Sequence, residues 1–156
     1  MRKDHEALEA QVGALRAVLA TDAGTEDRRA TLQRFIRAIG PDLELHLRKE
    51  EEVLFPALQK LAPEKGDAIL FLKEQHGQLR TALRQLAGSV CGCEPELNWK
   101  ETAHAGQKFV DLLEEHEKKE EQLLIRVLEI SLKPNELIEL AHGFHQMAWK
   151  IFREGL

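Results

Sequence analysis

The residues best equipped for chemistry in this chain are two histidine–glutamate pairs. His46 and Glu50 lie four positions apart in HLRKE, and His116 and Glu120 repeat that spacing in HEKKE. Residues four apart on a helix stack on one face with Cβ atoms about 5–6 Å apart, so each pair can reach a common ion. Two more histidines, His5 and His76, each stand alone ahead of one pair. A set of imidazoles and carboxylates suits iron, manganese or zinc better than calcium or magnesium, which favour oxygen ligands alone.

The spacing repeats along the chain. His5 to His76 is 71 positions, and His46 to His116 and Glu50 to Glu120 are 70 each. LELHLRKEEEVLFPAL (43–58) and LEEHEKKEEQLLIRVL (113–128) share Leu, Glu, His, Lys, Glu, Glu, Leu and Leu in register. The chain therefore reads as an internal duplication, each half supplying one His and then His-x-x-x-Glu, and duplicate half-sites imply two ions.

Five segments of helical periodicity must position these groups. Breakers at 22–26, 63–66, 88–95 and 133–135 leave helices expected over 3–21, 26–61, 66–88, 96–131 and 135–153, with Gly40-Pro41 expected to kink or split the second. Steps of three and four give each helix an inward stripe. The first reads His5, Leu8, Val12, Leu15, Leu19, and the second Leu32, Ile36, Ile39, Leu43, His46, Glu50, Val53, Ala57. The third reads Ile69, Leu72, His76, Leu79, Leu83, Leu86, and the fourth Gly106, Phe109, Leu113, His116, Glu120, Leu123, Val127. Carboxylates and imidazoles in an apolar seam would cost several kcal/mol per ionised group without compensation. No Lys or Arg stands in the seam at that level, so bound cations are the economical answer. The expected architecture is all-α: an up-down four-helix bundle of two helix hairpins over about 1–131, plus a C-terminal fifth helix over about 134–154, forming a single domain over 1–156.

Composition narrows the class. At 156 residues the chain can bury a core without staples. A net charge of −5 with interspersed signs argues against a nucleic-acid surface. No apolar run approaches the roughly 20 residues that span a bilayer, and no signal-peptide core follows Met1, so a cytoplasmic location and no membrane contact are expected. Cys91 and Cys93 form neither a disulfide framework nor a four-thiolate zinc site. The absence of Tyr removes tyrosyl radical and phenolate–iron chemistry.

The order His5, His46-x-x-x-Glu50 leading into LFP, His76, then His116-x-x-x-Glu120 resembles the hemerythrin-like family of HHE cation-binding domains, over residues 1 to about 130. The resemblance implies a four-helix bundle around a non-haem di-iron centre with an oxo or hydroxo bridge. His5 and His46 would hold one iron, His76 and His116 the other, and Glu50 and Glu120 would bridge both. Oxygen-carrying members have a further histidine four residues from the third-helix ligand, where this chain has Leu72 and Arg80. An exchangeable position on each metal would then admit a diatomic ligand or peroxide. The implied work is binding, sensing or scavenging O2, NO or peroxide. The alternatives are a di-iron enzyme consuming peroxide or NO, an iron-centre repair protein, and an interaction module with a structural metal. Manganese or zinc could stand in place of iron.

The remaining polar groups have plainer readings. Glu51, Glu52 and Glu121 are expected on a solvated face with the nearby lysines, with Glu51 or Glu121 as an outer acceptor for an imidazole N–H the lesser alternative. His104 is expected at the surface. His142 and His145 on the fifth helix read as exposed or half-buried, with a weak surface metal site as the alternative. That helix carries Leu137, Ile138, Ala141, Phe144, Ala148, Ile151 and Phe152, an apolar face expected either to cap the bundle or to form a homodimer. Cys91-Gly92-Cys93 reads as incidental loop residues, or as an oxidisable pair.

Overall fold

A computed structural model describes residues 2–20, 25–91, 97–122 and 133–154, and every element among them is helical. These are α1 (Arg2–Ala20), α2 (Thr25–Lys49), a π-helical turn (Glu50–Leu54), α3 (Phe55–Leu61), a 3-10 turn (Pro63–Lys65), α4 (Gly66–Cys91), α5 (Trp99–Glu120) and α6 (Pro134–Glu154). No helix among the described residues is long and apolar enough to cross a membrane. The chain divides into two compact units, Met1–Leu43 with Gly77–Glu115, and Glu44–His76 with His116–Leu156.

The first unit is an apolar seam. Leu8, Val12 and Leu15 of α1, Leu32, Phe35 and Ile39 of α2, Leu79, Ala82 and Leu86 of α4, and Phe109, Val110 and Leu113 of α5 are buried. Each such large side chain contributes about 1.5–3 kcal/mol through removal from water. Phe35 meets Phe109 edge to face, with ring centroids 6.4 Å apart. Gly106 lets α5 approach α1: a Cβ there would stand 3.1 Å from Leu19 Cδ2. Polar ties at the rim join Gln11 to Asp42, at 2.6 Å, and Arg16 to Glu114. The Arg28 guanidinium lies 4.2 Å from the Trp99 ring centroid, a cation–π contact at the start of α5. Asn98 caps that start: its Oδ1 accepts from the Glu101 backbone N–H at 3.3 Å, and its amide donates to the Glu101 carboxylate at 3.1 Å.

The second unit departs from the expected register at one place. The segment over 26–61, expected to kink or split at Gly40-Pro41, is not split there, since α2 runs through Pro41, but it changes winding at Glu50–Leu54. There the Phe55 N–H bonds to the Glu50 carbonyl, the i to i−5 pattern of a π turn. Pro56, at the start of α3, has no N–H and its ring crowds the carbonyl four residues back, which favours widening the turn before it. Proline is not the whole cause, because Glu121 and Gln122, in the matching place of the second repeat, are also π-helical without a following proline. The extra residue rotates the downstream helix by about 100°. The inward stripe therefore continues through Leu54, Phe55 and Leu58, at 0%, 0% and 1% exposure, and not through the expected Val53 and Ala57, which are half-buried.

Turned off the seam, Val53 meets α6. A Cβ on Gly143 would lie 2.8 Å from Val53 Cγ1, and Lys150 Nζ pairs with Glu52 Oε2 at 3.6 Å. Met147 is buried and Phe144 half-buried on that side of α6, whereas Ile138 and Ala141, expected on its apolar face, are exposed. α4 extends to Cys91, beyond the expected end at 88. Cys93, Leu123 and Val127 lie outside the described residues.

Candidate metal centre

Five of the six residues singled out from the sequence lie in the second unit, and His5 lies in the first, half-buried on α1. α2 delivers His46, the π turn delivers Glu50, α4 delivers His76, and α5 delivers His116 and Glu120. All five are buried, at 0–1% exposure. Ligand atoms of His46, Glu50 and Glu120 lie within 4.8 Å of one another, and so do those of Glu50, His76 and His116.

Glu50 belongs to both groups, and its two oxygens are divided between them. Oε1 faces His46 Nε2 at 2.8 Å, while Oε2 faces His76 Nε2 at 3.0 Å and His116 Nε2 at 3.5 Å. Burial alone would raise the Glu50 pKa. The opposing charge of His46 and hydrogen bonds from His116, His46 and His76 outweigh that and hold it well below the ordinary carboxylate range. His76 shows the converse: burial alone would lower its pKa, but hydrogen bonds to Glu50 and Glu51 raise it.

The imidazoles converge closely. The His76 and His116 ring centroids are 4.8 Å apart and those of His46 and His116 are 6.5 Å apart, both crossing steeply. Phe55 stacks on His76 with centroids 5.4 Å apart and planes at 27°, walling that ring with an apolar face. The π turn is what brings Phe55 inward. His116 Nδ1 is buried and has no hydrogen-bond partner among the described residues. Converging Nε2 atoms, a shared carboxylate and an orphaned ring nitrogen form a donor set suited to cations of intermediate softness.

For Glu51 the structure takes the lesser of the two readings: instead of facing water it accepts from His76 Nδ1 at 2.7 Å, with its side chain 28% exposed. That bond holds the ring with Nε2 toward Glu50. The α-helical register makes this the lesser reading, because it places Glu51 about 100° from Glu50, whereas the π turn reshapes the arc. The available signal was the proline in LFP. Glu121, the repeat counterpart of Glu51, is exposed, as expected, and so is His104.

The family model described as the hemerythrin HHE cation binding domain matches residues 1–128 and, separately, residues 67–154. Among curated proteins nothing matches the chain.

Proposed function

The chain belongs to the hemerythrin HHE cation-binding family, and from that premise we propose that it is a non-haem di-iron protein that binds, senses or scavenges a small oxidant, O2, NO or peroxide. The carrying observation is the division of the two Glu50 oxygens between separate sets of histidines, the disposition of a carboxylate shared by two cations. In this reading His76 and His116 serve one cation. His46 serves the other together with His5, which is assigned by family resemblance and by its place in the duplication. Glu120, buried and grouped with His46 and Glu50, is the second shared carboxylate.

A bound iron pair supplies electrons and exchangeable coordination positions for the oxidant. The protein supplies the rest. Ionised Glu50 offsets cationic charge inside an apolar seam, Glu51 fixes the His76 ring, and Phe55 excludes water from its face. The test is metal analysis with an optical spectrum of anaerobically purified protein, before and after exposure to air, NO and peroxide. Two irons per chain, with spectral change on stoichiometric uptake of oxidant, is the expected result. Continuous consumption of peroxide or NO by catalytic amounts of protein would assign an enzyme. An inert centre would leave the metal a structural role.

A further inference from the structure

Opposite buried Met147, α6 presents one stripe to solvent: Ile138, His142, His145 and Trp149, at alternating steps of four and three. All four are exposed, Ile138 at 66% and Trp149 at 65%. Large apolar side chains at seam spacing, facing water, are the pattern of a helix that pairs with another. α4 carries the same pattern with its seam turned inward: Leu72, His76, Leu79 and Leu83 have the same spacing, and His76-Gly77 matches His142-Gly143. The second family match begins at the head of the second half-repeat and ends at residue 154. By its range, that match gives α6 the place that α4 holds in the first.

The middle of the stripe offers two imidazoles one turn apart, close enough to share an ion. The Gln146 amide donates to His142 Nε2 at 2.9 Å, so a cation bound at that nitrogen would displace the amide. Two imidazoles leave a tetrahedral cation two ligands short. We propose that α6 of a second copy of this chain covers the stripe in antiparallel orientation, and that His142 and His145 of both copies together hold one borderline divalent cation such as zinc.

The stripe itself argues for a second copy. With both imidazoles between two apolar ends, antiparallel pairing sets His142 level with the other copy's His145, and Ile138 level with its Trp149. Charge favours the same orientation: exposed Glu139 lies toward one end of α6 and exposed Arg153 toward the other, so antiparallel helices place opposite signs side by side. None of these residues belongs to the buried centre, so the zinc-bridged pair stands or falls independently of the di-iron reading.

The test is the solution mass of the full chain with its core metals in place, by sedimentation, titrated with zinc to one ion per two chains and then with a zinc chelator. The mass should double with zinc and return on chelation. His142→Ala and His145→Ala should each raise the zinc needed at least tenfold, and Trp149→Ala should weaken the dimer, all with an unchanged core optical spectrum and helical circular dichroism. A chain that stays monomeric at every zinc level overturns the proposal. So does a dimer that persists in chelator, or one that zinc still induces when both histidines are replaced.

Discussion

At the level of single residues, Glu51 decides more than its half-exposed position suggests. Carboxylates that orient a ligating imidazole commonly account for 10–100-fold in metal affinity. Glu51→Ala should therefore weaken metal binding by about that factor, measured by competition with a chromophoric chelator. Glu121→Ala, at an exposed position, should leave affinity unchanged. Equal losses in the two variants would remove the role assigned to the His76 contact. Acidity gives a second prediction, for the metal-free protein. The Glu50 pKa is depressed, so its stabilisation is present above the ordinary carboxylate range and is lost as pH falls through the lowered value. The His76 pKa is raised, so its stabilisation is complete below about 6.5 and is lost as pH rises through the raised value. Thermal midpoints should accordingly peak in mildly acidic solution, and a midpoint still climbing above about pH 8 would contradict the pairing. The four residues of the two His-x-x-x-Glu pairs and His76 were legible because their spacing survives errors in helix boundaries. Glu51 was legible only as the lesser alternative, and undistinguished from Glu121, because its role depends on a local change of winding that no fixed helical period contains.

At the level of elements, the helices follow from periodicity, while the π turn comes from the competition around Pro56 and from a tendency that the second repeat shares without proline. Its effect on neighbours can be measured. Gly143→Ala on α6 would place a methyl 2.8 Å from Val53 Cγ1, a stiff branched side chain that the turn has pushed off the seam. Overpacking of this kind costs about 1–3 kcal/mol, more than the gain from replacing a helical glycine. Gly13→Ala on α1, where nothing lies within 4 Å of the new methyl, should instead stabilise by about 0.5–1 kcal/mol. Chemical denaturation of the two variants should shift the midpoint in opposite directions. Two shifts of the same sign would show that α6 does not rest on Val53. The fifth helix was legible as amphipathic, but which of its sides would be covered was not, since Val53 reaches it only through the displaced register.

Across the whole molecule, periodicity made the all-α class readable and duplication made the family readable: two weak signals 70 residues apart agree on ligand type, spacing and order. The five buried ionisable side chains of the candidate centre also make the fold depend on what they hold. Removing metal with a chelator should lower the melting temperature, by an amount that grows with the logarithm of the metal concentration used for reference. A melting temperature indifferent to metal would mean that the imidazole–carboxylate pairs satisfy one another unaided. Burial has a kinetic side as well. His76, His116, Glu50 and Glu120 are at 0% exposure, so no ion reaches or leaves them without a local opening of the surrounding helices. The π turn beside Glu50, wound less favourably than the helices it joins, is the natural place for that opening. Metal exchange should then run no faster than amide hydrogen exchange in Glu50–Leu54, so that a wide turn five residues long sets the residence time of the ion.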